Sequence, residues 1–353
     1  MDEKESKYIQ DKRIGVIMAE NLKLSILDIV TMYNGESARE SLQNSAELVQ
    51  LADRLGYTRY WFAEHHNQKH LMSTSPDIMS AHTAALSKNI RIGTGGTMLP
   101  NHSSLKVAEN FSFLEALYPG RIDLGIGRAP GTDVLTASAL RRNSDESFSE
   151  QLEDLLSFFN RDFSEDHPYR SVIASPDKSL VPDIYMLGSS DGGMKYAAEH
   201  GLGFVFAKHI SPDLAAPVLR TYRENFKPSS FLSVPKSIMS VIVVAAETDE
   251  EAQYLAEPAE LQWVRWTTGE LHLAPPTLEE ANNYVYTKEE EAVREENKDK
   301  FVIGSAETVE KRLRELAEEA KADEIMIVDM LTEKSARHRS YELLAEAFQL
   351  ASH

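Results

Sequence analysis

The chain alternates short apolar runs with longer segments of helical period. Eight such runs lie near 22–30, 59–64, 90–99, 121–127, 182–188, 203–207, 238–246 and 324–329, and the turn signals around them predict strands. The segments between them carry explicit helix ends. Ser37-Ala38-Arg39-Glu40 has the spacing of a capping box, Leu48, Leu51, Ala52 and Leu55 share one stripe, and Gly56 stops the helix. Further on, Ser305 is placed to cap a helix with the stripe Val309, Leu313 and Leu316, and a last helix carries Leu344, Ala347, Phe348 and Ala351. Eight alternations with strongly apolar strands predict a parallel sheet buried on both faces. A doubly wound open sheet gives the same local pattern, but the count of eight favours a closed (β/α)8 barrel.

Two stretches exceed ordinary loop length, giving insertions after strands 4 and 7. They cover 128–150 and roughly 247–302, the second holding Trp263, Trp266, Pro275, Pro276 and the charge-rich run Lys288 to Lys300. A long excursion after a barrel strand serves either as a lid over the site or as a helical hairpin packed on the barrel wall.

Composition narrows the class. At 353 residues the chain suits one barrel domain over 1–353. There are no cysteines, which removes disulfides, thiolate catalysis and thiolate-bound zinc together. The 56 acidic against 37 basic residues leave a net charge of -19, which repels nucleic acid and anionic membrane surfaces. The longest apolar runs, such as Val241 to Ala246, fall far short of a membrane span, and Met1-Asp2-Glu3-Lys4-Glu5 is too acidic for a signal peptide, so a cytoplasmic location is expected.

In such a barrel the C-terminal strand ends face one mouth, and titratable residues there read as catalytic. Strand two ends in Glu64-His65-His66, which makes these three the catalytic candidates. Since alternate strand residues point to opposite faces, one imidazole should face the mouth while its neighbour is a hydrogen-bonding partner. Metal binding by Glu64, His65, His66 and His102 is a competing use, but adjacent histidines rarely aim both rings at one ion, and no His-x-His or His-Glu-x-x-His spacing occurs. Gly95 and Gly96 inside strand three indicate close approach of a flat ligand or a bulge that tightens the barrel. Gly188-Ser189-Ser190 before a helix reads as an anion site or as plain N-capping by serine, and Arg128 at the end of strand four would convert it to a phosphate site if it lies beside that helix. The run Gly125-Ile126-Gly127-Arg128-Ala129-Pro130-Gly131 is not a dinucleotide fingerprint, because its third glycine is one place late and Pro130 interrupts the helix start.

Together the segments Arg59-Tyr60-Trp61-Phe62-Ala63-Glu64-His65-His66-Asn67, Arg91-Ile92-Gly93-Thr94-Gly95-Gly96 through Asn101-His102, Leu105-Lys106-Val107-Ala108-Glu109 and Leu114 through Gly125-Ile126-Gly127-Arg128-Ala129-Pro130-Gly131-Thr132-Asp133 resemble the bacterial luciferase-like flavin monooxygenases. Weaker resemblance continues through Leu187-Gly188-Ser189-Ser190 and Ile303-Gly304-Ser305-Ala306-Glu307-Thr308-Val309. The resemblance implies a TIM barrel and reduced FMN as a diffusible cosubstrate, supplied by a separate NAD(P)H:flavin reductase. It implies reaction with O2 through a flavin C4a-hydroperoxide to oxygenate a small organic substrate, in a protein that is usually a homodimer. By the same resemblance His65 takes the place of the catalytic histidine, while Arg128 and Ser190 take the places of the phosphate contacts. Gly95-Gly96 falls where these barrels put a non-prolyl cis peptide against the flavin ring, and Ser189 stands where luciferase has Glu. Three rivals are an F420-dependent hydride transfer, a catalytically silent flavin binder and a metal-dependent hydrolase.

Overall fold

The computed structural model describes residues 22–33, 35–141, 146–176, 180–270 and 273–351. The acidic run from Met1 to Glu5 lies outside them, as do 142–145 within the first expected insertion and 271–272 within the second. Among the described residues nine parallel strands form the sheet: β1 (Lys23–Asp28), β2 (Arg59–Phe62), β3 (Arg91–Met98), β4 (Ile122–Gly127), β5 (Asp183–Gly188), β6 (Gly203–Ala207), β7 (Ser237–Ala246), β8 (Phe301–Ser305) and β9 (Glu324–Val328). Strands β1 to β7 pair in sequence, and β9 closes the ring between β7 and β1. The eight staves are the eight expected runs, so the fold is the (β/α)8 TIM barrel. Every residue of β2, β4, β7 and β9 is buried, which is why these strands read as continuous apolar runs without alternation.

Strand β8 is additional to the expected set. It pairs with Ile242–Ala246, of which Val243–Ala246 continue beyond the pairing of β7 with β6 and β9, and it is no barrel stave. Only Val302 and Gly304 are buried in it. A five-residue, half-buried strand directly after a charged run gives almost no periodic signal.

Helices α1 (Ala38–Leu55), α2 (Pro76–Leu86) and α3 (Ser104–Leu117) follow the first three strands. Ser37 and Glu40 form the reciprocal capping box, and Gly56 adopts the left-handed conformation at φ 83°. A Cβ at Gly56 would also lie 2.2 Å from the carbonyl oxygen of Ala351, so this position is glycine for two reasons. The first insertion carries the short α4 (Val134–Leu140) and reaches the start of α5 (Phe148–Asn160). After β5 and β6 come α6 (Asp191–His200) and α7 (Ala215–Asn225). The second insertion holds α8 (Asp249–Thr267), α9 (Leu278–Asn282), α10 (Lys288–Asn297) and β8. Arg265 pairs with Glu280, and Arg294 pairs with Glu257 and Glu260, tying α9 and α10 to α8. Ser305 caps α11 (Ala306–Ala320), whose Val309, Leu313 and Leu316 are buried as the stripe predicted. The last helix, α12 (Lys334–Ala347), ends before Phe348 and Ala351.

The N-terminal end of the barrel is closed by a buried ion cluster. Arg59 bonds Glu324 and Asp123 at 2.7 Å each, Trp61 donates to Asp123 at 2.9 Å, and Arg91 reaches Asp123 from the next strand. Each charge is paired, which makes burial tolerable. The chemistry is therefore confined to the other end, where the strand ends open toward α8.

Candidate active site

Glu64 follows β2 and is 2 % exposed. Its carboxylate accepts from the Met98 backbone N–H at 2.9 Å and the Asn101 carboxamide at 2.9 Å, and it pairs with the His66 and His102 imidazoles at 2.9 and 3.0 Å. Burial alone would raise its pKa, but the bonds from His102, Asn101 and His66 outweigh that and hold it below the usual carboxylate range. The same contact raises the pKa of His102 against the effect of its own burial. Glu64 thereby fastens the end of β2 to the loop after β3. His66 is spent on this carboxylate and borders neither of the cavities described below.

Between these partners His65 turns the other way and borders both cavities at the barrel mouth. Its backbone N–H bonds the Ser73 carbonyl at 2.9 Å, while its side-chain Nδ1 is buried without a hydrogen-bond partner. Burial pushes its pKa below the ordinary histidine value, more than Glu64 raises it, so the ring is neutral near pH 7. The two rings are separated as expected, in the irregular segment just past β2, with His65 toward the mouth and His66 toward its carboxylate partner.

The first cavity has a volume of about 390 Å³ and runs along the strand ends from His65 to Arg128. Gly95 and Gly96 form part of its wall, joined by a cis peptide bond, and the β3–β4 register shifts at this point. The register shift is the bulge that the sequence offered as one use of these glycines. A Cβ on Gly95 would lie 2.6 Å from Leu27 Cδ1, and one on Gly96 would lie 2.9 Å from the Gly125 carbonyl oxygen. At the far end are Gly188, Ser189, Ser190 and the N-terminus of α6. Ser190 occupies the N-cap position, yet its side chain makes no capping bond, so the plain-capping alternative is not realised. Arg128 lies beside this helix start: a Cβ on Gly192 would be 2.5 Å from its Nη1. Asp191 also feels this cation, after the stronger effect of Lys195, and its pKa is lowered. A free hydroxyl, a helix N-terminus and a guanidinium converge there, the donor set a phosphate needs.

The end of strand six and the second insertion also contribute to the wall. His209, from the end of β6, borders the first cavity, and its Nδ1 lies 3.4 Å from the Ser240 carbonyl oxygen. The Ser240 hydroxyl lies 3.3 Å from the same Nδ1. Burial lowers the pKa of His209 to about 4. Its position at a strand end was legible, but nothing local separated it from a surface histidine. Trp263 and Trp266 of α8 and Met330 after β9 complete the wall. The second insertion therefore covers the mouth with one helix and packs the others behind it.

The second cavity, about 280 Å³, adjoins the first and shares Ile29, His65, Leu71, Trp266 and Met330 with it. An elongated cleft with glycines on one wall, phosphate donors at one end and a neutral base before an apolar side chamber fits a planar cofactor that ends in a phosphate. Among the described residues no cluster of metal-ligand type occurs and no helix is long and apolar enough to cross a membrane.

Barrel and cleft define a TIM-barrel protein with a site at the strand ends, and the luciferase-like monooxygenase family profile matches residues 25–324. The chain belongs to that family. It is 42% identical over 330 residues to YceB, an uncharacterized protein of Bacillus subtilis (strain 168), covering 93% of this chain and 99% of that one. A luciferase-like monooxygenase of Escherichia coli (strain K12) is 36% identical over 326 residues, 91% of this chain and 96% of the other. Among solved structures, apo-MsnO8 matches with a TM-score of 0.84 at 36% identity, covering 95% of this chain and 100% of that one.

Proposed function

We propose that the protein is a monooxygenase that takes reduced FMN from a separate NAD(P)H:flavin reductase and uses it with O2 to oxygenate a small organic substrate. The observation that carries this reading is the continuous path from Arg128 and Ser190, along Gly95 and Gly96, to His65 and the apolar side chamber. When bound, reduced flavin would supply the electrons that activate oxygen. Arg128 and the start of α6 would hold the phosphate against a protein of net charge -19. The glycine wall would let the ring lie flat against the backbone. His65, neutral and with Nδ1 unpartnered, would accept a proton between cofactor and substrate, and the Glu64 cage would fix the strand end that aims it. Trp263 and Trp266 would keep water from the reacting centre. The same reading has the protein working in the cytoplasm as a homodimer, supported by the exposed Ile78 and Leu86 of α2 and Phe113 and Leu117 of α3.

The test is to mix the anaerobic complex of protein and photoreduced FMN with oxygen and follow flavin absorbance by stopped flow. Return of oxidised flavin should be slower than in free FMN by at least about tenfold if the site excludes water. Return at the free rate, or binding of F420 in place of FMN in a parallel titration, would overturn the proposal.

A further inference from the structure

Helix α8 presents Pro258, Gln262 and Trp266 to the second chamber at successive four-residue steps, one face of the helix. Gln262 is 5 % exposed, and its carboxamide oxygen is buried without a hydrogen-bond partner. A polar atom left unpaired in an apolar wall is costly, so the site gains from a ligand that pairs with it. Leu71, Trp266 and Met330 make the surrounding wall apolar. Among the described lining residues there is no Lys, Arg, Asp or Glu. An ionised substrate would enter without a counter-charge, and an anion would also meet the field of an acidic protein.

We infer that the second chamber selects uncharged, largely apolar substrates that carry one hydrogen-bonding group, and that the Gln262 carboxamide is the specificity determinant that anchors this group. Gln262 acts by holding the molecule and touches no group assigned to the cofactor end. The inference rests on the proposal that the chamber beside His65 receives the substrate.

The experiment uses the flavin-free, full-length protein and tryptophan fluorescence, since Trp266 lines the chamber. Hexanamide and hexanoate have nearly the same shape and differ by a neutral amide against a carboxylate. Hexanamide should bind at least about tenfold more tightly than hexanoate at pH 8, since the anion gives up its hydration and meets no Lys or Arg in the wall. Gln262→Leu should weaken hexanamide by about tenfold, the effect of one lost hydrogen bond, and leave hexanoate unchanged. Equal or tighter binding of hexanoate, binding of neither probe, or full retention of hexanamide affinity in Gln262→Leu overturns the inference. The comparison in the unsubstituted protein stands even if the variant misfolds, and FMN titration of the variant reports on its folding. Because no flavin is present, failure here leaves the oxygenase reading intact, and failure of the stopped-flow test leaves this result readable.

Discussion

Replacing Arg128 by Met keeps the length of the side chain and removes the charge. The guanidinium lies over Gly192 at the start of α6, beside a Ser190 hydroxyl that does not cap its own helix. A hydrogen bond to a charged group contributes roughly 1.5–3 kcal/mol, and an exposed arginine lies near the lower end, so FMN affinity should fall by about 10–30-fold. Riboflavin has the same ring and ribityl chain without the phosphate, so its affinity should change less than about twofold, since it lacks the charge-assisted contact. The assay is titration of both ligands by flavin fluorescence at two salt concentrations. The preference of the unsubstituted protein for FMN should shrink at high salt, and the variant should show little of either effect. Gly192→Ala approaches the same point sterically, since its methyl would sit 2.5 Å from Nη1. Because the exposed side chain can shift, its penalty should be smaller, about threefold on the same energy scale. Equal losses for FMN and riboflavin in Arg128→Met would refute the phosphate assignment, as would no loss for either.

Ser190→Ala should leave the melting temperature within about 1 °C, because the cap bond whose loss ordinarily costs about 1 kcal/mol is not made, while FMN affinity falls several-fold; a lower melting temperature with unchanged affinity would restore the capping role. His65→Gln should keep FMN affinity and slow substrate oxygenation by about 10²–10⁴-fold, the usual contribution of a positioned base, as read in single-turnover product analysis. His209 is held neutral in the fold and titrates at its ordinary value when unfolded, so below that value the unfolded chain binds the extra proton. Its contribution to stability is full above about pH 6.5 and lost as pH falls toward about 4; its partial exposure to the cavity reduces it to about 2 kcal/mol, and His209→Gln should flatten that part of the denaturation profile. Arg59→Met leaves Glu324 buried without its partner, while Asp123 keeps Arg91 and the Trp61 N–H, and should cost about 3–5 kcal/mol in urea unfolding, with the FMN affinity of the folded fraction unchanged.

Local sequence determined the eight staves, the capping box at Ser37, the glycine stop at Gly56, the placing of Glu64, His65, Arg128 and Ser190 at strand ends, and Gly95 and Gly96 inside the third strand. These are short-range properties: strand length and apolarity, turn chemistry, and the adjacency that sets His65 and His66 on opposite sides. Tertiary structure alone decided which side. Glu64 becomes the anchor of a cage only because Met98, Asn101 and His102, more than thirty residues away, bring their donors to it. Likewise Ser190 reads as a cap in sequence, and only the meeting of β4 with the start of α6 puts Arg128 beside an uncapped hydroxyl. The strand-end place of His209 was legible but its role was not, and Gln262 could not be singled out, because a glutamine on a helix becomes a site residue only through what faces it. The covering of the mouth by α8 and the short β8 beside it belong to the same category, since burial and unpaired polarity are properties of a neighbourhood, and a barrel assembles that neighbourhood from strands far apart in the chain.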